Sequence, residues 1–301
     1  MDTNKIIVIG SANTDMVVKA KSLPLPGETL LGGTFFMNAG GKGANQAVAA
    51  ARLGGKVTLV TKVGDDIFGT QTITDLQKEN IVTDYVFVDA TAPSGTALIM
   101  VNEDGENCIV VAPGANAHLL PADIDLVKEL STASIILMQL EVPMETISTV
   151  ATIGKFNQQK IIINPAPAQP LQDDVLNGLF LLTPNETEAT LLTGIKVVNE
   201  ASASQAADIF LNKGVQNVII TLGKQGAYFQ NKDLRFSVTA PLVKAMDTTA
   251  AGDTFSGAIA VAITENMDWQ SAIQFAVQAA SISVTRMGAQ ASIPYRNELS
   301  I

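Results

Sequence analysis

Near the end of the chain, Asp247-Thr-Thr-Ala-Ala-Gly-Asp-Thr-Phe-Ser-Gly257 sets a carboxylate in a run of small residues. Gly252 has no Cβ to hinder a tight turn, and Asp253 follows it. Phe255, Ala258, Ile259, Ala262 and Ile263 then recur at helical spacing, so a helix is predicted to start at or near Asp253. The free N–H groups and positive dipole end of such a helix attract anions. Small residues at Ala250, Ala251 and Gly252 would let a phosphate approach that backbone. A carboxylate there repels phosphate. Its presence makes sense if it takes the proton of an attacking hydroxyl while the N–H groups hold the transferring phosphoryl. Asp253 also fits an ordinary N-cap or first-turn acid.

Four other segments could carry chemistry. Gly40-Gly-Lys-Gly-Ala-Asn45 is glycine-rich but is not a P-loop, because Gly43 follows Lys42 and no glycine sits five before Gly41. It reads as a ligand loop or as a tight strand-to-helix turn. Asn13 and Asp15 are two apart, so on an extended segment they face one side. That arrangement suits sugar hydroxyls, and it suits turn capping. Asn185 and Glu188, three apart, share a face where a helix opens. They could hold a hydrated Mg²⁺ or form a capping box. Thr221-Leu-Gly-Lys-Gln-Gly226 follows a strand, and its glycines could admit phosphates or an adenine, or make a turn. Three segments able to touch phosphate or metal, each after a strand and all before Asp253, point to phosphoryl transfer from a nucleotide to a hydroxyl.

These groups need a scaffold. Short apolar runs at Lys5–Ile9, Val57–Lys62, Ile135–Met138, Lys160–Ile163, Phe180–Leu182 and Asn217–Thr221 read as strands. Helices are predicted at Ala44–Leu53, Ile67–Glu79, Met144–Phe156, Asp173–Asn177, Glu186–Leu192 and Ala203–Asn212. Two long apolar helices, Asp253–Thr264 and Trp269–Arg286, close the chain. Alternation of this kind predicts an α/β fold with a predominantly parallel central sheet and helices on both faces. Thr14–Lys19, Thr29–Met37, Tyr85–Val88, Gly95–Val101 and Cys108–Val111 are expected to form a small separate sheet. It would act as a lid, built from segments about 14–37 and 85–111, over the carboxyl edge of the main sheet. No linker or repeat interrupts residues 1–301, so one domain is expected.

Composition narrows the partners. The 301 residues are 47% hydrophobic, with mean hydropathy +0.26, formal net charge −10 and pI about 4.6. This argues against nucleic acid and anionic membrane surfaces. No apolar run approaches the roughly 18 residues of a membrane span. The run at Met1–Gly10 reads as a strand rather than a signal peptide. A single cysteine, Cys108, is compatible with a reducing compartment, and the cytoplasm is expected. With one histidine, His118, and one cysteine, neither a zinc cluster nor a supported Ser-His-Asp triad is available. Acid–base work falls to carboxylates or lysine.

The stretches at Asp247–Gly257 and Gly40–Ala50 resemble the two sequence patterns of the ribokinase family of carbohydrate kinases. Gly10-Ser-Ala-Asn-Thr-Asp15, Pro184-Asn-Glu-Thr-Glu188 and Arg286-Met-Gly-Ala-Gln-Ala-Ser292 fit the same family in order and spacing. The resemblance spans essentially the whole chain. It implies an α/β sandwich with a β lid, often completed by a second subunit, and hence a homodimer. It implies transfer of the γ-phosphoryl of ATP to the 5-hydroxyl of D-ribose. Asp253 would be the base and the backbone of Ala250, Ala251, Gly252 and Asp253 the anion hole. Asn13, Asp15, Gly41, Lys42, Asn45 and Glu141, with Asp253, match ribose-contacting positions. Asn185 and Glu188 match the pair that organises Mg²⁺ and phosphates through water. Thr221, Leu222, Gly223, Lys224, Gln225 and Gly226, with Asn185 and Gly252, match nucleotide contacts. A K⁺ ion is expected beside the anion hole, ringed by Asp247, Thr249, Ser283, Arg286, Gly288 and Ser292. Val277 stands where the family can place a histidine beside the adenine, and a valine packs on a base without hydrogen-bonding it.

Rival readings keep the fold and change the substrate to deoxyribose, a ketohexose or a nucleoside. A non-catalytic sensor would not need Asp253, and a nicotinamide dehydrogenase would need a glycine fingerprint that Gln46 interrupts.

Overall fold

In the computed structural model, which describes residues 5–300, a nine-stranded sheet carries the chain. Its strands are β1 (Lys5–Ile9), β4 (Lys56–Gly64), β5 (Val82–Asp89), β8 (Ile135–Met138), β9 (Lys160–Ile163), β10 (Leu181–Leu182), β11 (Asn217–Thr221), β12 (Ala227–Asn231) and β13 (Arg235–Val238). The order is β13-β12-β11-β10-β9-β8-β1-β4-β5. From β11 across to β5 every neighbouring pair is parallel, and β12 and β13 add an antiparallel edge.

Side chains alternate along each strand, so the sheet feeds two cores. Ile6, Val8, Leu59, Leu137 and Ile162 face one, packed on Ala47, Phe255, Ile259 and Phe275. Ile7, Ile9, Val60, Met138 and Ile161 face the other, packed on Ile147, Val150, Ala203 and Phe210. Helices α1 (Lys42–Arg52), α2 (Ile67–Lys78), α8 (Ala251–Thr264) and α9 (Trp269–Ser283) cover the first face. The second is covered by α3 (Pro121–Ile124), α4 (Met144–Phe156), α5 (Asp173–Leu176), α6 (Glu186–Thr193) and α7 (Glu200–Asn212).

A separate four-stranded sheet has the order β3-β2-β6-β7, from β2 (Asn13–Lys19), β3 (Thr34–Gly40), β6 (Gly95–Val101) and β7 (Asn107–Ala112). Its β2–β6 pair is parallel and the others antiparallel.

The expected α/β architecture is present, with several corrections. Tyr85–Val88 lies in β5 and pairs parallel with β4, so it belongs to the main sheet rather than the small one. Thr29–Gly33 is not strand, because Gly32 and Gly33 adopt positive φ there; β3 begins at Thr34 and runs to Gly40. The last helix ends at Ser283, before Arg286. Helix α8 begins at Ala251, two residues before Asp253.

Candidate active site

Strand ends converge on one edge of the main sheet. Ser11 follows β1, Gln139 and Glu141 follow β8, Asn164 follows β9, Asn185 follows β10, and Leu222 follows β11. Asn185 and Thr221 form an isolated parallel bridge. The amino ends of α1 and α8 face the same edge, which is where open α/β sheets bind ligands.

At α8 the tight turn falls on Ala250, not Gly252. Ala250 is the N-cap with φ 59°, in the left-handed region that costs a non-glycine residue about 1–2 kcal/mol. Strain of this kind clusters at working sites. No side chain caps the helix; Ala251 N donates to the Thr248 carbonyl at 3.3 Å, and the N–H groups of Gly252 and Asp253 are left for a ligand. At Gly252 an added Cβ would meet nothing within 4 Å, so the approach over this turn is open.

Asp253 is 5% exposed. Two amides hold its carboxylate: Asn45 Nδ2 donates to Oδ2 at 3.0 Å and Gln46 Nε2 donates to Oδ1 at 2.9 Å. Gln46 also donates to Asn164 Oδ1 at 3.1 Å, and its own Oε1 accepts from Gln139 Nε2 at 2.6 Å. Asn164 Nδ2 in turn donates to the Thr183 carbonyl at 3.0 Å. Gln46, Gln139 and Asn164 carry no local sequence signal for this role, since their partners lie far along the chain. A buried chain of amides thus ends on the carboxylate and fixes its plane. Asn45 Oδ1 is buried without a protein partner, an acceptor still to be used.

Beside Asp253 lies a cavity of about 170 Å³, lined among others by Lys42, Asn164, Asn185, Glu188, Thr248, Gly252 and Asp253. A wider hollow of about 670 Å³ at Arg52, Tyr295 and Arg296 holds no comparable chemistry. Its arginines are paired with Glu79 and Glu265.

An uncapped helix end, a held carboxylate and a lysine surround one polar cavity, an arrangement able to receive a phosphoryl group. Residues 3–296 match the family described as pfkB family carbohydrate kinase. The chain belongs to that family. A ribokinase of Haemophilus influenzae is 43% identical over 294 residues, 97% of this chain and 96% of its own length. A deoxyribokinase of Salmonella typhi is 41% identical over 291 residues, covering 96% and 95%. The structure of Arabidopsis thaliana ribokinase complexed with ribose and ATP matches with a TM-score of 0.91 at 34% identity, over 98% of this chain and 96% of that one.

In this pfkB family kinase, α1 starts at Lys42 rather than at Ala44, with Gly41 as its N-cap at φ 86°. Lys42, Asn45 and Gln46 therefore sit on the first turns of a helix aimed at the strand ends. Glu141 ties the loop down, accepting from Ser11 Oγ and from the Lys42 N–H at 3.0 Å. The Lys42 ammonium is held above its ordinary pKa chiefly by Asp253, against burial, with help from Glu141, Glu188 and Asp15. It stays charged between Asp253 and the Asn185–Glu188 segment. Burial, then Glu141 and Asp253, push the Asp15 carboxyl up to about 7, against the pull of Lys42.

Asn185 and Glu188 do form the capping box: Glu188 N donates to Asn185 Oδ1 and Asn185 N to Glu188 Oε2. The box consumes one carboxylate oxygen. Glu188 still faces the cavity, and burial raises its pKa, against the Asn185 N–H and Lys42. Such a carboxylate gains from a nearby cation, so the donor set fits a hydrated Mg²⁺. The Thr221–Gly226 segment forms a short 3-10 turn, Gly223–Gln225, beside that box.

Asp247 Oδ1 accepts from Thr249 N and Oδ2 from Gly288 N, each at 2.9 Å. Burial opposes the charge, yet these bonds, with the Thr249 side chain, hold the carboxyl below its usual range. Asp247 N also donates to the Val284 carbonyl, next to Ser283. The structure thus draws Asp247, Thr249 and Gly288 together. Arg286 turns its side chain to Glu298, and Ser292 Oγ donates to Ala289 O rather than to Asp247. Val277 is 5% exposed and packs in the first core.

Proposed function

We propose that this chain transfers the γ-phosphoryl of ATP to the 5-hydroxyl of D-ribose, giving D-ribose 5-phosphate and ADP. The carrying observation is the Asp253 carboxylate, clamped by Asn45 and Gln46 beside the uncapped helix turn. Asp253 takes the hydroxyl proton as the sugar oxygen forms its bond to the γ-phosphorus. The bond from that phosphorus to the bridging oxygen breaks, and ADP leaves with the electron pair. Backbone N–H groups of Ala250–Asp253 and the Lys42 ammonium stabilise the charge on the phosphoryl oxygens. Asn13, Asp15, Gly41, Lys42, Asn45 and Glu141 hold the sugar, and Asn185 with Thr221–Gly226 holds the nucleotide.

The names of the relatives support a pentose, with deoxyribose as the second reading because the deoxyribokinase lies at nearly the same identity. An ADP-release assay with ribose, 2-deoxyribose, a ketohexose and nucleosides decides between them. The highest kcat/KM is expected with D-ribose; a higher value with 2-deoxyribose would reverse the order.

Mg²⁺ arriving with ATP would neutralise phosphate charge, its water shell held by Glu188 and Asn185. K⁺ would be held by the Asp247 carboxylate and the carbonyls of Thr249, Ser283, Arg286 and Gly288, with Ser292. Asp247 already pins the Thr248–Gly252 turn through Thr249, so a cation there would keep the N–H groups aimed at the phosphoryl. Initial rates at constant ionic strength should be higher in K⁺ than in a large organic cation. Equal rates, with Asp247→Ala as fast as the parent, would remove the site.

The exposed apolar side chains Phe35, Leu98, Ile109, Val110 and Val111 on the small sheet support a homodimer formed through it. Sedimentation at micromolar concentration checks this, and a monomer would refute it.

Asp15 gives a pH prediction. Ribose hydroxyls donating to the ionised carboxylate favour the charged form, so binding should strengthen as pH rises through about 7. Ribose affinity should fall roughly tenfold from pH 8 to pH 6, and Asp15→Asn should flatten the profile. Since folding raises this pKa from 3.8, the folded chain holds the proton more tightly. Its stabilising effect is present below the unfolded value and lost as pH rises through about 7. A pH-independent ribose affinity in the parent would refute the assignment of Asp15.

A further inference from the structure

Asn116 lies outside the machinery described so far. It sits in the 3-10 turn Gly114–His118 that follows β7, is 1% exposed, and reaches back to the connection between β1 and β2. Its Oδ1 accepts from the backbone N–H of Ala12 at 2.9 Å. A backbone N–H can only donate, so this end of the Asn116 amide must be oxygen. The other end is then the NH₂ group, which donates to Asn13 Oδ1 at 2.7 Å and to the Ala12 carbonyl at 3.2 Å.

We propose that Asn116 is a positioning residue that fixes which end of the Asn13 amide is offered to the sugar. This rests on the reading that Asn13 faces a sugar. With Oδ1 taken by Asn116, Asn13 presents its NH₂ group and acts as a hydrogen-bond donor. A free asparagine could rotate its amide and serve as either donor or acceptor. Here rotation would set two NH₂ groups against each other. Nor can the pair slide apart: a Cβ on Gly95 of β6 would lie 2.1 Å from Asn116 Nδ2 and 2.3 Å from Asn13 Oδ1. The bare backbone of Gly95 is therefore a wall of the lock.

The consequence is a polarity code along β2. Asn13 and Asp15 share a face, two residues apart. Asn13 donates, whereas an ionised Asp15 only accepts. The ligand must therefore accept a hydrogen bond at the first position and donate one at the second. Neighbouring hydroxyls do both, each using its oxygen toward Asn13 or its hydrogen toward Asp15. An unlocked Asn13 would not enforce that order.

The test measures D-ribose binding by calorimetry together with steady-state kinetics. Asn116→Asp keeps an oxygen for the Ala12 N–H but loses the NH₂ group, so Asn13 turns its oxygen toward the sugar. The expected result is a ribose Kd raised about tenfold or more, with the ATP KM unchanged and kcat at saturating ribose within about threefold of the parent. In an Asn13→Ala background the same Asn116→Asp change should alter ribose Kd by less than about twofold, because its effect passes through Asn13. A purely structural role would weaken ribose and ATP together and add to Asn13→Ala; that outcome overturns the proposal. So does an unchanged ribose Kd in folded Asn116→Asp. If that variant does not fold, Asn13→Asp keeps the bond from Asn116 and offers oxygen to the sugar, and undiminished ribose affinity there is equally decisive. A parent that neither binds nor phosphorylates D-ribose would overturn the sugar assignment itself, and is seen before any variant is compared.

Discussion

Asp253→Asn is expected to lower kcat by at least about 10²-fold, the scale of losing a general base, while ribose binding changes far less. An amide cannot take the proton of the 5-hydroxyl at neutral pH. It also disturbs the clamp. Asn45 and Gln46 both present NH₂ groups to the carboxylate, so one end of an asparagine would confront a donor. Gln46 cannot turn, because Gln139 holds its oxygen. Asn45, whose Oδ1 has no protein partner, can turn that oxygen to the new NH₂ group, so a lost rate reports the lost base rather than a broken clamp. Rates would be read with saturating ribose, ATP and Mg²⁺, and ribose Kd by titration. Turnover within a few-fold of the parent would remove Asp253 from the mechanism.

Gly43→Ala is expected to lower both stability and activity. A Cβ on Gly43 would lie 2.6 Å from the Gly10 carbonyl carbon and 2.6 Å from Ser11 N, backbone atoms that cannot swing aside. The first turn of α1 would have to lift from the β1–β2 connection. Overpacking of this kind costs about 1–3 kcal/mol. The same movement would carry Lys42, Asn45 and Gln46 away from Asp253 and loosen the contact of Glu141 with Lys42 N. A thermal melt and kcat/KM for ribose should both fall, the latter by about tenfold or more if positions shift by an ångström. An unaltered melting temperature with full activity would show that the contact is not tight.

Much of this arrangement was legible in the sequence because it is local. Strands β1, β8, β9 and β11 coincide with the apolar runs at Lys5–Ile9, Ile135–Met138, Lys160–Ile163 and Asn217–Thr221. Their polar followers had to lie at one sheet edge, since parallel strands share a direction. What was not legible depends on distant partners. Periodicity identifies a strand at Tyr85–Val88 but not the sheet it joins; pairing with β4 decides that. The β12–β13 hairpin went unread because Ala227–Asn231 and Arg235–Val238 are short runs beside polar residues. Nothing in an alanine announces the positive φ of Ala250. The amides that organise the site were missed for the same reason. Gln46 meets Asp253 across 207 positions, Asn116 meets Ala12 across 104, and Gln139 meets Gln46 across 93. An isolated Gln or Asn has no local pattern from which such a partner can be read.

The most direct test is to incubate the protein with D-ribose, ATP, Mg²⁺ and K⁺ and to identify the phosphorylated product by phosphorus NMR. Stoichiometric ADP and D-ribose 5-phosphate are expected, with no phosphoryl transfer to 5-deoxyribose, which lacks the acceptor hydroxyl. ADP formation without a sugar phosphate, or a phosphate on another hydroxyl of ribose, would contradict this assignment.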